Sequence, residues 1–68
     1  MDERLFTILK KLEGMTEEKV TEALSLFPYY IRVSKRDGED QWKPTKFDKN
    51  RVNVEVESGV VTKVLDIG

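Results

Sequence analysis

The sequence contains no cysteine and no histidine, and among its 68 residues there are only two prolines and four glycines. Without cysteine the chain has no disulfide bond, no thiolate zinc site and no cysteine nucleophile. Without histidine it lacks the commonest general base and metal ligand. No apolar run approaches the length of about 20 residues that a membrane-spanning helix needs, and the opening MDERLF is unlike a signal peptide. We therefore expect a cytoplasmic protein with no membrane partner.

Charge is plentiful but balanced. Charged residues make up 37% of the chain and leave a net charge of −1, with both signs interleaved. Such a surface is soluble and has no overall attraction to nucleic acid or anionic lipid. A chain of this length forms one small domain, and domains near 60 residues bury only about 60% of their unfolded surface. Because so small a domain has no deep cleft to offer, we expect no enzyme, no cofactor and no metal.

Two helices are predicted in the first half of the chain. The first is capped by Asp2, ends by Gly14, and has an apolar face made of Leu5, Phe6, Ile8, Leu9 and Leu12. It could pack on the domain, bind a partner or join two copies into a homodimer. The second is opened by Thr16 and stopped by Pro28. Its predicted buried face consists of Val20, Ala23, Leu24 and Phe27.

Three strands are predicted after the helices. Tyr29 to Val33 is aromatic and β-branched, which favours a strand. In 51–57, Val52, Val54 and Val56 alternate with Asn53, Glu55 and Glu57, which indicates a strand with one face in water. A turn at Ser58-Gly59 leads to a closing strand from Val60 to Ile67. Two inward-facing sets fit that strand, Val61/Lys63/Leu65 and Val60/Thr62/Val64.

The segment 34–50 has no apolar periodicity, and its large apolar residues are Trp42 and Phe47. Asp37-Gly38 indicates a turn near its start. Compact domains rarely keep an unstructured connection longer than about 12–15 residues unless it has a function. We therefore interpret this loop as the functional element. Trp42 is either a binding residue, since tryptophan is enriched at binding hot spots, or a lid over the small core.

Other interpretations of the polar residues are weaker. Lysines at 43, 46 and 49 beside two aromatic residues resemble a surface for single-stranded nucleic acid. However, Glu39, Asp40 and Asp48 are interspersed with them, so we expect no nucleic-acid partner. The acid pairs Glu39/Asp40 and Glu55/Glu57 lack the spacing of a calcium loop, so we interpret them as solvated surface.

Several short motifs occur in a recognisable order. Gly14, Thr16 and Glu18 open the second helix, and RDGE follows the first strand at 36–39. The segment RVNVEVESGVVTKV, at 51–64, leads to Gly68. This order resembles the potato inhibitor I family, above all its small bacterial branch, over residues 14–68. Residues 1–13 lie outside the resemblance and are predicted to be an accessory helix.

The resemblance implies an α+β fold in which a helix packs on a small mixed sheet. The first two strands would run parallel and be joined by a long exposed loop, with the N-terminal helix as an addition. In this family the loop enters the cleft of a serine protease as a substrate would. The implied partner is therefore a serine protease of the subtilisin-like class, and the resemblance implies no cofactor.

The resemblance also implies roles for individual residues. The scissile bond would be Thr45-Lys46, and the protease-binding loop would comprise Trp42, Lys43, Pro44, Thr45, Lys46 and Phe47. Arg51 and Asn53 would support the loop, since a guanidinium holds carbonyl or carboxylate groups in fixed geometry. Many relatives carry Thr before the scissile residue and an acid after it, where this chain has Pro44 and Lys46. The alternative is a non-inhibitory protein-interaction module that uses the same loop or the N-terminal helix.

Overall fold

Two helices and a four-stranded mixed sheet form the fold of the chain in a computed structural model, which describes residues 3–42 and 46–68. The elements are α1 (Glu3–Lys10), α2 (Glu17–Leu24), β1 (Tyr30–Arg36), β2 (Glu39–Asp40), β3 (Arg51–Glu57) and β4 (Val60–Ile67). The strand order is β2-β1-β3-β4, with β1 and β3 parallel and the other pairs antiparallel. The predicted α+β class is confirmed. No helix in the described ranges is long and apolar enough to cross a membrane.

Helix α2 begins where the sequence predicts. Thr16 is its N-cap, and its hydroxyl oxygen accepts the backbone N–H of Lys19 at 3.2 Å. The prediction that Phe27 is buried is wrong, because this side chain is 62% exposed. The helix ends at Leu24, and the N–H of Phe27 donates to the Leu24 carbonyl at 3.0 Å. This tighter i→i+3 turn rotates position 27 away from the buried face.

Helix α1 packs on the same core as α2 and the sheet. Leu9 is buried with the core valines, whereas Ile8, predicted on the same apolar face, is 60% exposed. The helix ends at Lys10, and turns occupy the residues up to Gly14. The predicted capping residue Asp2 lies outside the described residues. That residues 1–13 form an accessory element stays a prediction.

The core between the helices and the sheet consists largely of valine. Val52, Val54 and Val56 are buried as predicted, together with Val61 and Val64 of β4. Neither predicted inward set of β4 is correct, since its two buried valines are three positions apart. The pairing of β3 with β4 shifts register twice, and each β-bulge changes which side chains face inward.

Strand β1 is longer than predicted and continues into a hairpin. Asp37 and Gly38 have φ values of 51° and 84°, which suit the two-residue turn between β1 and β2. Residues 34–40 therefore belong to paired strands and their turn, so the predicted loop was too long at its beginning. The unpaired connection runs over 41–50. At the end of β1, Arg36 donates twice to the carboxylate of Glu17, each time at 2.9 Å, and this lowers the Glu17 pKa.

The outer edge of β4 is covered by the segment between the helices. The N–H of Gly14 donates to the Val61 carbonyl at 2.7 Å, and the N–H of Val61 donates to the Met15 carbonyl at 2.8 Å. Further along the strand, the Glu13 carboxylate accepts the N–H of Val64 at 2.8 Å. Lys10 and this N–H lower the pKa of Glu13. Residues 13–15 thus occupy hydrogen-bonding groups that an edge strand would otherwise expose.

Candidate functional site

The connection from β2 to β3 leaves and re-enters the sheet beside β1. Its first residue, Gln41, donates its N–H to the Ser34 carbonyl at 2.9 Å. At its other end, the backbone carbonyl of Asn50 accepts the N–H of Tyr30 in β1 at 2.9 Å. The predicted loop residues Lys43, Pro44 and Thr45 lie outside the described residues. The structure therefore defines the two limbs of the loop, 41–42 and 46–50, and the side chains beneath them.

Arg51 holds the second limb from the start of β3. Its Nη2 donates to the main-chain carbonyl of Lys46, and its Nε donates to the carbonyl of Gly68 at 2.8 Å. The N–H of Gly68 in turn donates to the Arg51 carbonyl at 3.0 Å. Lys46 itself is an exposed residue, and its contact with the guanidinium is through its main chain. Arg51 therefore supports the loop through a backbone acceptor, which a residue of any type at position 46 provides.

Asn53, the other predicted support residue, lies among polar groups on the open face of the sheet. It was predicted to face water but is only 8% exposed. Its Oδ1 accepts from Arg32 Nε at 2.8 Å, and its Nδ2 donates to Asp66 Oδ1 at 2.7 Å and to Gly68 O at 3.1 Å. Among the described residues no hydrogen bond joins Asn53 to the loop, so its influence runs through Arg32.

Arg32 is the support residue that sequence reasoning missed. Its Nη1 donates to the carbonyl of Trp42 at 3.2 Å, while its Nε is oriented by Asn53. The signal that could have identified it is the parallel pairing of the two strands, which sets Arg32 directly beside Asn53. Arg32 and Arg51 therefore hold backbone carbonyls on the two sides of segment 43–45.

Asp48 fixes the second limb on the side of β1. Its Oδ2 accepts the hydroxyl of Tyr30 at 2.5 Å, and its Oδ1 accepts the N–H of Asn50 at 2.8 Å. The Tyr30 hydrogen bond, followed by the Asn50 N–H, lowers the pKa of Asp48, and the same carboxylate raises the pKa of Tyr30. The limb is therefore anchored by side chains of both parallel strands and by one of its own residues.

The two aromatic residues of the loop are displayed to solvent. Trp42 is 81% exposed and Phe47 is 75% exposed. An indole in this position does not cover the core, which disfavours the lid interpretation. Phe47 rests beside Gly68, where an added β-carbon would lie 3.2 Å from the ring. Each aromatic residue thus lies at or next to a backbone carbonyl that an arginine holds. A side chain on a fixed backbone loses little conformational entropy when it binds a partner.

Comparison of the chain with protein-family models, curated proteins and solved structures gives no match. In the described ranges, no three acidic side chains are grouped so that they could hold a metal ion. The described limbs of the loop offer positioned backbone carbonyls and exposed aromatic side chains.

Proposed function

We propose that this chain inhibits a serine protease of the subtilisin-like class by inserting the loop 42–47 into the protease cleft. The observation that carries the proposal is the pair of guanidinium groups that hold the carbonyls of Trp42 and Lys46. The motif order that resembles the potato inhibitor I family points to the same loop. In this proposal the chain is not an enzyme and needs no cofactor.

A loop held at both limbs loses little conformational entropy when a protease binds it, so more of the contact energy appears as affinity. The position of Arg51 adds a second effect. It holds Lys46, the first residue after the proposed scissile bond, through a main-chain carbonyl. After cleavage, the new amine of Lys46 would stay close to the acyl group, and such proximity strongly favours the reverse reaction. Cleavage would therefore be slow and religation fast.

The departures from the family pattern are compatible with this proposal. Relatives place hydrogen-bond acceptors on side chains beside the scissile residue, where this chain has Pro44 and Lys46. Here the described acceptors are backbone carbonyls, which do not depend on those side chains. Thr45 would be the specificity residue. Because it is small and β-branched, it suits a shallow specificity pocket better than one shaped for a long basic side chain.

Titration against subtilisin, elastase and trypsin tests the proposal. We expect stoichiometric inhibition of subtilisin, with slow cleavage after Thr45 identified by mass spectrometry. Arg51→Ala should remain folded but be cut rapidly, whereas Lys49→Ala, an exposed change in the same limb, should behave like the natural chain. Cleavage after Lys43 or Lys46 by trypsin alone, or no effect on any of the three proteases at micromolar concentration, would contradict the proposal.

The specificity role of Thr45 can be tested separately. Replacement by Leu or Met adds apolar atoms to the side chain that would enter the pocket. Each change should tighten binding to subtilisin by about 1–3 kcal/mol, the range for an added methylene in an apolar pocket. Inhibition constants for the three forms provide the measurement. Equal constants would show that position 45 does not enter the pocket.

A second candidate function keeps the fold but not the inhibition. Trp42 and Phe47 are both largely exposed, and exposed aromatic residues on a fixed backbone are typical of protein-binding hot spots. The chain would then be a small interaction module that uses the loop. The natural chain would then inhibit none of the three proteases, and Trp42→Ala would weaken binding to a partner without changing any protease rate, which distinguishes this function from the first.

A further inference from the structure

A groove between the two helices is lined by apolar and aromatic side chains alone. Its volume is about 210 Å³, and its walls come from α1, α2 and the segments that follow each helix. The lining residues are Leu5, Ile8, Leu9, Leu12, Ala23, Leu24, Phe27 and Tyr29. None of these residues belongs to the loop or to the side chains beneath it. The groove is therefore a separate surface.

Two large apolar side chains that line the groove remain exposed. Ile8 is 60% exposed and Phe27 is 62% exposed. The turn that follows α2 rotates Phe27 away from the core, which leaves the groove open instead of filling it. Single exposed apolar residues are ordinary, but an apolar groove with exposed apolar side chains beside it is typical of an interaction site.

Two lysines lie next to residues that line the groove. Lys11 is in the turn after α1, where its N–H donates to the Ile8 carbonyl at 3.1 Å. Lys19 precedes Ala23 by four positions in α2, so helical spacing sets it beside that residue. Both lysines are exposed, and neither forms an ion pair with the residues that the structure describes. The acids of α2 lie elsewhere. Glu17, Glu18 and Glu22 line a different surface of that helix, where Glu17 is paired with Arg36.

We propose that this groove binds an amphipathic helix of a partner protein whose apolar stripe is flanked by acidic residues. Apolar side chains at positions i, i+3, i+4 and i+7 would enter the groove, as in other helix-in-groove complexes. Carboxylates beside that stripe would meet Lys11 and Lys19. A second copy of this chain fits less well, since the acids of α2 line a different surface and the same face would not offer them to Lys11 and Lys19. Charge complementarity therefore selects the acidic partner.

A designed peptide probes this surface on the full chain. It would contain about 14 residues, near the length at which isolated helices become stable, with leucine at i, i+3, i+4 and i+7 and glutamate beside them. A matched peptide carries lysine in place of glutamate. By fluorescence anisotropy, we expect the glutamate peptide to bind about tenfold more tightly than the lysine peptide, a difference that rising salt reduces.

Three variants locate the binding. Lys11→Glu combined with Lys19→Glu should reverse the preference between the two peptides. Ile8→Ser, a change at an exposed position, should weaken both peptides. Lys49→Glu, in the loop, should change neither and serves as the charge-matched control.

Failure of the glutamate peptide to bind at high micromolar concentration would overturn the proposal. Equal binding of both peptides would contradict the proposal of an acidic partner, because binding would then depend on apolar contacts alone. Concentration-dependent dimerisation that Ile8→Ser abolishes would identify a second copy as the occupant and would also overturn it. None of these outcomes depends on protease inhibition, because that is measured at the loop.

Discussion

The guanidinium of Arg32 donates its Nε–H to Oδ1 of Asn53 across 2.8 Å, which joins the parallel strands β1 and β3 on the open face of the sheet. The amide nitrogen of Asn53 donates to the carboxylate of Asp66 and to the carbonyl of Gly68. The carbonyl of Trp42 is thereby linked, through Arg32 and Asn53, to the same Gly68 that Arg51 contacts. The hydrogen bonds that hold the two limbs of the loop therefore meet at Gly68.

This relationship predicts that Arg32 and Asn53 act as a pair on the loop. Arg32→Ala should speed cleavage of the loop by subtilisin, because the carbonyl of Trp42 loses its donor. Asn53→Ala should do the same indirectly, and the double variant should be little worse than either. The interaction energy from a double-mutant cycle of unfolding should be about 0.5–3 kcal/mol. Lys35→Ala, on the same strand, is the control, and additive effects would contradict the pairing.

A second prediction concerns two neighbouring apolar residues with opposite burial. Leu24 is 5% exposed and Phe27 is 62% exposed. Leu24→Ala should lower the free energy of unfolding by about 2–5 kcal/mol, since it leaves a cavity in the core. Phe27→Ala should change it by roughly 0.5 kcal/mol or less, as surface substitutions usually do. Urea denaturation of both variants measures the difference, and a large loss in Phe27→Ala would show that its ring is buried.

The third prediction is a loss of stability in acid that depends on Asp48. Hydrogen bonds from Tyr30 and Asn50 lower its pKa in the folded chain, whereas the unfolded value is about 3.9. The contribution of a carboxyl with a lowered folded pKa is fully present above the unfolded pKa and disappears as the pH falls through the folded one. The urea midpoint should therefore decline below about pH 4.

Two variants assign that decline to the Asp48 carboxyl. Asp48→Asn keeps the oxygen acceptor but cannot titrate, so its midpoint should vary less with pH than that of the natural chain. Tyr30→Phe removes the donor with the largest effect on the Asp48 pKa and should flatten the profile in part. Parallel profiles for the natural chain and Asp48→Asn would show that this carboxyl makes no contribution.

Much of the fold is readable from local sequence. Thr16 with the acids after it marks a helix start, and strict alternation marks the buried valines of β3. Phe27 was misplaced because apolar periodicity does not reveal where a helix tightens into a turn. The inward set of β4 depends on two β-bulges, which arise from strand pairing and leave no local signal. Asn53 was misjudged for a related reason, since its burial comes from Arg32 and Asp66, which are distant in sequence.

The candidate site was predictable in outline only. Arg51 follows from the family resemblance, and the polar composition of 41–50 marks a loop. Arg32 required knowledge of the register between β1 and β3, which fixes its neighbour on the other strand. The contacts with Gly68 required the position of the end of β4. Local pattern therefore finds the loop, while long-range pairing defines what lies beneath it.

A fourth prediction tests the boundary at residue 14. A fragment of residues 14–68 should keep the β-sheet signature in circular dichroism. It should unfold at lower urea than the full chain, because it lacks Leu9 from the core and the Glu13 carboxylate that accepts from Val64. Leu9→Ala in the full chain is the matched variant and should lose part of the same stability. A random-coil spectrum for the fragment would show that α1 is integral to the domain.

The segment that covers the edge of β4 also affects the tendency of the chain to aggregate at high concentration. Fibrils grow when the free margin of a sheet recruits a strand from another molecule. Here an incoming strand would first have to displace the backbone of 14–15 and the side chain of Glu13. At the opposite side of the sheet, β2 covers Lys35 and Arg36 of β1 and itself presents Glu39 and Asp40, whose charges repel a second copy of themselves. The edge formed by β4 and the short edge formed by β2 therefore both resist the addition of a strand from another molecule.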